Sequence, residues 1–369
     1  MRAGCDLNNS ELHSAQVTVN LSALKANYQT LASAAPAAHV GVAIKGEAYG
    51  LGLEPCAKAF WAAGCRHFFV ARPLEGAELR KVLASASIYV LDGFYVGQAE
   101  FYLRQNLIPA LASPQEAAAW SAETKGAACA IHCDTGINRL GFTADEFVTL
   151  CADHELRKSL NIKLLISHLA CSDEADHPLN LQQLHAFETM RKLLPDVPAS
   201  FANSSGIFLG SHYHFDIVRA GVALYGGNPL PGKSNPMKTV VTLQARVLQT
   251  RLVSEGQTIG YSATWKAPHD TRIAILGAGY RDGIPRKLSS SRHDGPAQVF
   301  LGGKRCPIVG RVSMDMMAAD VTNVDVKVGD IAEIFGHHIS VDEAAGFAGT
   351  ISYELLTHLG NRYARTYVD

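Results

Sequence analysis

Features that define several large functional classes are missing from this sequence of 369 residues. Lys and Arg total 33 against 34 Asp and Glu, so the net charge of −1 gives no surplus of one sign to attract nucleic acid or an anionic membrane. No stretch approaches the roughly 18–20 apolar residues of a membrane-spanning helix. The polar N-terminus has no hydrophobic signal core. We therefore expect a cytoplasmic protein that binds neither nucleic acid nor membrane.

The eight cysteines show no C-x-x-C spacing. Several of them lie inside apolar runs, as Cys129 does in "AACAIHC". Buried cysteines without a ligand spacing are typical of reduced thiols in a cytosolic protein. The sequence therefore predicts neither a zinc site, nor another metal site, nor a disulfide framework.

Apolar residues make up 47% of the chain and charged residues 18%, and the length suffices for two domains. Amphipathic stretches such as 73–85, 113–123 and 176–194 alternate with short apolar runs. The runs, eight in number, are 38–45, 67–71, 87–91, 108–112, 128–133, 162–170, 199–203 and 215–221. Eight strand–helix units predict an α/β fold with a closed (β/α)8 TIM-like barrel, and a doubly wound open sheet is the alternative.

The sequence pattern changes after about Lys238. A Thr/Val-rich alternating stretch, "KTVVTLQARVLQTRLV", is followed by turn sequences such as "RDGIPR" and "LGGK", which is typical of strands joined by turns. We predict a barrel domain over 10–237 and a mainly β C-terminal domain over 238–369, with residues 1–9 as a candidate addition to the second domain.

One lysine stands at the end of the first apolar run, in "GVAIKGEAYGLG" (41–52). Lys45 either snorkels into water from the strand end or is held partly desolvated with a lowered pKa, ready to form a Schiff base. The glycines that follow it leave room for a ligand close to the backbone. The remaining motifs must decide between these interpretations.

Polar residues also follow the later runs, and in a parallel barrel the carboxyl ends of all strands meet at one mouth. Each has an alternative without a role in a site. Arg139 could form a surface ion pair and His168 could be a core histidine. Asn203 and Ser204 could cap a helix, and Arg219 could form a salt bridge to Asp216. "NSSG" and Gly221 offer N–H groups that suit a phosphate. Together the set suits pyridoxal 5'-phosphate (PLP) or a phosphate-binding Schiff-base aldolase. The strand-end residues are Arg139, His168, Asn203, Ser204 and Arg219.

These motifs resemble those of the alanine racemase family, whose members are PLP enzymes with a TIM-like barrel and a C-terminal β domain. "VAIKGEAYGLG" resembles the PLP-lysine motif, which implies Lys45 as the Schiff-base residue and Tyr49 as a phosphate contact. "DTGINRLGF" implies Arg139 near the substrate carboxylate. "SHLACSDE" implies His168 against the pyridine ring. The resemblance also assigns cofactor contacts to Asn203, Ser204, Arg219 and Gly221.

The second half of the chain continues the resemblance at the family's usual spacing. "GYSATW" implies Tyr261 as the second catalytic base, and "PIVGRVSMDMM" brings Met314 to the substrate. "ISYELLT" implies Tyr353 as a further phosphate ligand. One position departs from the family pattern: many members carry a carbamylated lysine where this chain has His132. We hypothesise that an anion such as chloride, or His132 itself, orients Arg139.

The resemblance implies racemisation of alanine by two bases, Lys45 on the D-face and Tyr261 on the L-face of a planar adduct. A Tyr261–His168–Arg219 hydrogen-bond chain would make the phenol a usable base. Arg219 would face the pyridine nitrogen and leave it unprotonated, because arginine is effectively always charged. In this family the tyrosine reaches the lysine of the other subunit, so the resemblance implies a homodimer that shares its active sites.

Three other functions are weighed beside racemisation. A PLP-dependent amino-acid decarboxylase of the same two-domain type is the main alternative, although such enzymes usually carry a cysteine near the C-terminal tyrosine, where this chain has Ser313. A PLP carrier without activity would not need the β domain, and a Schiff-base aldolase would bind no PLP. The expected substrate is alanine, with serine tolerated, and the expected role is to supply D-alanine for peptidoglycan, with alanine catabolism left open.

Overall fold

The computed structural model describes residues 12–290 and 297–369, and the chain divides into two compact units. The barrel unit comprises residues 24–224 and 228–237. The β unit comprises the described residues up to 23, residues 225–227 and those from 238 onward. The candidate addition of residues 1–9 to the second domain lies outside the described residues.

Eight parallel strands of the barrel unit close on themselves in chain order. The last strand pairs with the first through His39↔Ile217 and Val40↔Val218, so the barrel has no open edge. Each of the eight predicted runs contains one of these strands, which confirms the (β/α)8 prediction and shows that the open-sheet alternative is wrong. The strands are β2 (His39–Ala43), β3 (His67–Val70), β4 (Ser87–Val90), β5 (Ile108–Leu111), β6 (Ala128–His132), β7 (Asn161–Ile166), β8 (Ala199–Ser200) and β9 (Ile217–Ala220).

The helices of the barrel unit precede the first barrel strand or connect the strands, and some of them begin at a side-chain cap. Ser113 caps α6 by accepting a hydrogen bond from the Glu116 N–H at 3.2 Å, and proline follows it at the first helical position. The helices are α1 (Leu21–Ala34), α2 (Lys45–Tyr49), α3 (Leu53–Ala62), α4 (Pro73–Val82), α5 (Ala99–Arg104), α6 (Pro114–Thr124), α7 (Ala144–Ala152), α8 (His154–Ser159) and α9 (Pro178–Arg191). None of the helices within residues 12–290 and 297–369 combines the length and the apolarity needed to cross a bilayer.

Side chains from successive strands fill the barrel interior, which is therefore a packed core. Phe69 of β3 stacks on Tyr89 of β4 with ring centroids 4.8 Å apart. Gly41 of β2 makes room for this stack, because a Cβ at that position would stand 2.5 Å from Cε2 of Phe69. The cluster consists of Phe69, Tyr89, Ala110, Ala130, Leu164, Ile166 and Ile217.

The β unit is built on an eight-stranded sheet, as the mainly β prediction requires. Its strands occur in the order β13-β16-β15-β14-β17-β10-β1-β18. Their bounds are β1 (Ala15–Asn20), β10 (Val241–Val253), β13 (Thr271–Leu276), β14 (Gln298–Leu301), β15 (Lys304–Val309), β16 (Met317–Asp320), β17 (Ile331–Phe335) and β18 (Ala364–Val368). The unit also contains β11 (Thr258–Ile259), β12 (Trp265–Lys266), α10 (Val341–Ala348) and α11 (Ser352–Thr357).

The predicted domain division differs from the structure at the N-terminal side. Strand β1, which the predicted boundary of 10–237 assigned to the barrel, pairs instead with β10 (Val17↔Leu243) and β18 (Val17↔Arg365). The reason is that the residues of "AQVTVN" are alternately buried and half-buried. Such a strand suits a sheet with one covered face, whereas barrel strands are buried on both faces.

Gly41→Ala should destabilise the barrel. The added methyl group would force the buried ring of Phe69 out of its stack, and overpacking of this kind costs about 1–3 kcal/mol. Gly346→Ala is the control, because a Cβ on this residue of α10 would meet nothing within 4 Å. We expect thermal unfolding to shift to lower temperature in Gly41→Ala only, and equal midpoints for the two variants would contradict the packing described.

Candidate active site

Shortly after β2 the backbone forms a left-handed helical turn. Gly46, Glu47 and Ala48 have φ of 61°, 56° and 55° with ψ of 48°, 46° and 50°. This left-handed turn costs roughly 1–2 kcal/mol for each non-glycine residue, so it persists only where other contacts hold it. Glu75, at the start of α4, accepts the Gly46 N–H at 2.8 Å. The turn leaves Lys45 at the barrel mouth and buries Tyr49.

The ammonium of Lys45 lies in a cationic and partly desolvated setting. Lys45 is exposed in the single chain, yet protein atoms crowd its ammonium, and this desolvation is the main cause that lowers its pKa. Arg139 and Arg219 lower the pKa further, while Glu75 and Asp92 oppose them. A lysine with a lowered pKa is more often neutral and hence nucleophilic. This environment favours the Schiff-base interpretation of Lys45 over the snorkelling one.

A cradle of hydroxyl and N–H groups lies between the left-handed turn and the end of β9. A Cβ on Gly221 would stand 2.6 Å from the hydroxyl oxygen of Tyr49. The N–H groups of Gly221 and Ala223 point to the same place and donate to the Ser204 hydroxyl at 2.8 and 3.4 Å. Converging N–H and hydroxyl donors are the groups that bind phosphate. The residues present therefore fit a phosphorylated cofactor.

Arg219 is buried at the mouth end of β9, and its guanidinium contacts neutral groups. It donates to Ser200 Oγ at 2.8 Å and to the carbonyl oxygen of Ser167, and it lies 3.2 Å from His168 Nδ1. It forms no ion pair with any carboxylate in the described parts of the chain. Burial lowers its pKa to about 9, with a further contribution from Arg139. At neutral pH the side chain is still a cation. The alternative of a salt bridge between Arg219 and Asp216 is wrong, because Asp216 pairs with Arg191 instead.

Two histidines are held neutral beside this cation. Burial and the charges of Arg219 and Arg139 lower the pKa of His168 well below its usual value. The same causes lower the pKa of His132 to about 4, against a partial opposing effect of Asp134. Both ring nitrogens of His132 are buried without a hydrogen-bond partner. With Arg219 on its Nδ1 side, a neutral His168 accepts at Nδ1 and carries its proton on Nε2.

Arg139 projects from the tip of a tight loop between β6 and α7. Asp134 Oδ1 shapes the loop by accepting the N–H groups of Gly136 and Ile137 at 2.9 and 3.0 Å. Arg139 is exposed, and in the part of the chain that the structure describes it makes no hydrogen bond to His132. The hypothesis that His132 orients Arg139 by direct contact is therefore not supported, while the hypothesis of an orienting anion stays untested.

Asn203 takes the place that the helix-cap alternative gave it. Its side-chain oxygen accepts the Gly206 N–H at 2.9 Å and the Ser172 hydroxyl at 2.8 Å. These bonds fix the loop after β8 and so position the neighbouring Ser204. A direct contact of Asn203 with the cofactor remains a prediction.

The predicted site residues of the β unit lie on its surface when the single chain is considered. The exposed fractions are 69% for Tyr261, 50% for Met314 and 39% for Tyr353. Gly260, with φ of 75°, turns the chain into Tyr261. Arg362 joins Asp282 to Asp315, the neighbour of Met314, at 2.7 and 2.8 Å.

Sequence reasoning missed the groups that support these residues. Ser167 and Ser200 bind Arg219, and Glu75 holds the left-handed turn. A serine inside an apolar run is the one feature that marks the first two in the sequence. Among the described residues, no cluster of three or more His, Cys, Asp or Glu side chains could hold a metal ion.

Comparison with known proteins assigns the chain over nearly its whole length. The family model of the alanine racemase N-terminal domain matches residues 19–229, and that of the alanine racemase C-terminal domain matches residues 240–367. The alanine racemase of Rhizobium meliloti (strain 1021) is 42% identical over 96% of this chain and 97% of its own. Agrobacterium fabrum has a biosynthetic and a catabolic alanine racemase, each 40% identical over 96% of this chain and over 93% and 92% of their own.

A solved structure agrees with these relatives. The alanine racemase of Bartonella henselae, with covalently bound pyridoxal phosphate, superimposes with a TM-score of 0.91 at 37% identity and covers 96% of this chain and 99% of its own.

Gly221→Ala should weaken the binding of PLP because its methyl group would displace the Tyr49 hydroxyl. We expect an affinity loss of about tenfold, the size of one or two lost hydrogen bonds to a charged group. Tyr49→Phe should also weaken binding. In the double variant the clash is relieved, so its loss of binding free energy should be smaller than the sum of the losses in the two single variants. Titration of the apo-protein with PLP measures all three, and strict additivity would contradict the cradle.

Acid should destabilise the protein partly through His132. Its folded-state pKa of about 4 lies below the ordinary 6.5, so the unfolded chain takes up the proton first as the pH falls. The free energy of unfolding therefore decreases between pH 6.5 and 4, by up to about 1.4 kcal/mol per pH unit for one such histidine. His132→Gln should lose less stability between pH 7 and 5 than the parent protein or His154→Gln, which changes an exposed histidine. Chemical denaturation at both pH values gives the comparison, and parallel losses in all three proteins would overturn it.

Proposed function

The chain belongs to the alanine racemase family, and from this premise we propose that it interconverts L-alanine and D-alanine with PLP as cofactor. The observation that carries the proposal is the barrel mouth, where a lysine of lowered pKa, a cradle of hydroxyl and N–H groups and a buried arginine lie at the ends of neighbouring strands. The cofactor supplies an electron sink that makes the α-proton of the bound amino acid removable. The reaction is an isomerisation, so no further substrate is needed.

The barrel residues have distinct parts in holding this cofactor. Lys45 would hold it covalently through its amine. Tyr49, Ser204 and Gly221 would bind its phosphate, with Asn203 as a further contact and Tyr353 of the β unit as a further phosphate ligand. His168 and Arg219 would contact the ring, and because a guanidinium already bears a charge, Arg219 would keep the ring nitrogen unprotonated and limit the electron sink. A limited sink disfavours side reactions that need a long-lived carbanion.

Two bases then move the proton between faces. The Lys45 amine, released when the amine of the substrate takes its place on the cofactor, would accept the α-proton on one face, and the Tyr261 phenol would deliver or accept it on the other. The lowered pKa of Lys45 raises the neutral fraction that can act as a base. Arg139 would hold the substrate carboxylate. Met314 would line the pocket for the side chain of the substrate, and this pocket would favour alanine and tolerate serine.

We propose a homodimer in which Tyr261 completes the site of the other subunit. In the single chain Tyr261 is 69% exposed, and a neutral phenol is a poor base. Contact with the cations of the barrel mouth of a second copy would favour its phenolate, against the cost of desolvation.

We place the enzyme in the cytoplasm, where the free thiols of the seven described cysteines suit a reducing environment. Its proposed role is to supply D-alanine for peptidoglycan. The biosynthetic relative of Agrobacterium supports this role, although the catabolic relative is equally similar.

Incubation with L-alanine and PLP, followed by chiral analysis, tests the proposed reaction. We expect equal amounts of L- and D-alanine at equilibrium. Release of carbon dioxide with formation of an amine would identify the decarboxylase alternative, and recovery of L-alanine alone would refute racemisation.

Tyr261→Phe and Lys45→Ala should separate the two bases. Tyr261→Phe should keep the visible absorbance of bound PLP but lose the exchange of the α-hydrogen of L-alanine with deuterated solvent by a factor of roughly 100 or more. Lys45→Ala should lose the absorbance of the covalent adduct. Racemisation retained in Tyr261→Phe would assign the second base to another residue.

A further inference from the structure

We propose that Gln183 is a positioning residue of the active site, because its carboxamide joins the loop that carries His168 to the loop that carries Arg139. The inference rests on the proposed racemase function of the barrel mouth. Gln183 lies on α9, in the outer layer of the barrel unit, and its side chain is fully buried.

The carboxamide of Gln183 makes three hydrogen bonds to these two loops. Its oxygen accepts the Ala170 N–H at 2.9 Å. Its nitrogen donates to the His168 carbonyl oxygen at 2.9 Å and to the Thr135 hydroxyl at 3.2 Å. A glutamate would place a carboxylate against the His168 carbonyl, so the residue type fits the set of partners.

The contact with Thr135 matters because it anchors a loop that is otherwise held internally. Asp134 caps the loop from within, and the Phe142 N–H donates back to the His132 carbonyl at 2.8 Å. Thr135 reaches outward, to Gln183 and to the Ser167 hydroxyl at 2.8 Å. Arg139 lies four residues further on, so a shift of the Thr135 anchor would move its guanidinium.

The contact with His168 places Gln183 on the opposite side of the same segment from Arg219. Arg219 binds the Ser167 carbonyl oxygen and lies 3.2 Å from the His168 ring, while Gln183 binds the His168 carbonyl oxygen. Two independent hydrogen-bonding groups therefore fix the backbone from which the imidazole projects. Displacements of about 1 Å at such a residue can cost large factors in rate.

Gln183→Met keeps the length of the side chain and removes all three bonds, so it should loosen both loops. We expect PLP to remain bound, the KM for alanine to rise and kcat to fall, each by about tenfold, which is the effect of one or two buried hydrogen bonds. Hydrogen exchange followed by mass spectrometry should show faster exchange in residues 133–142 and 168–172.

Asn180→Leu is the matched control on the same helix. Asn180 is equally buried, but it donates to the Glu174 carbonyl oxygen at 2.9 Å, in a segment without a site residue. It should lower the unfolding temperature and speed exchange in residues 173–177 while KM and kcat stay within about twofold of the parent.

Thr135→Val removes only the hydroxyl, and it tests the role of Gln183 if Gln183→Met does not fold. It should raise KM more than it changes kcat, because it releases the Arg139 loop while Gln183 and Arg219 still hold the backbone at Ser167 and His168. Unchanged KM and kcat in Gln183→Met or Thr135→Val, or equal losses in Asn180→Leu, would overturn the role of Gln183. An unmodified protein that does not racemise alanine would instead refute the proposed function, and the inference with it.

Discussion

The guanidinium of Arg219 is a buried cation whose hydrogen bonds go to a hydroxyl and to backbone carbonyl oxygens. Burying an unpaired charge is costly unless dipoles are already in place to solvate it. Ser200 and the carbonyl of Ser167 are such dipoles: Ser200 ends β8, the neighbour of β9, and Ser167 follows β7, one strand further round the barrel. The closed barrel thus determines the electrostatics of its own mouth. Burial, with the charge of Arg219 added to it, lowers the pKa of His168, His132 and Lys45 together.

Backbone strain is concentrated at the same end of the barrel. The left-handed turn after β2 is held by Glu75 of α4, and it brings Tyr49 against Gly221 at the end of β9. Strained backbone of this kind survives where packing over-determines it, and it serves to present side chains in a geometry that regular helix or strand does not offer. Here it separates Lys45, which faces solvent, from Tyr49, which is buried four residues later. A cofactor with a phosphate at one end and an aldehyde at the other needs two such positions.

The sequence predicted the eight barrel strands and the mouth residues because both follow from local patterns: apolar runs and the polar residues that end them. It was less informative about which face of a helix is buried. Leu181 and Leu193 are apolar residues of the 176–194 stretch, which was predicted to be an amphipathic helix, yet both are exposed in the structure. The buried face of α9 is rotated toward Asn180, Gln183 and Leu184. Hydrophobic periodicity cannot find a buried carboxamide, since its burial depends on partners that lie 13 to 48 residues away in the chain. The assignment of Tyr261 came from the family resemblance alone.

The protonation state of His168 tests the account most directly, because it reports whether burial and the charge of Arg219 together hold the imidazole neutral. The ring-nitrogen shifts of His168 can be followed by 15N NMR in selectively labelled protein between pH 5.5 and 9, with His168→Gln to assign the signal. The account predicts a neutral imidazole with its proton on Nε2 throughout this range. A histidine that titrates near its ordinary pKa of 6.5 would show that burial and the cation do not hold the ring neutral, and the proposed ordering of charges would be wrong.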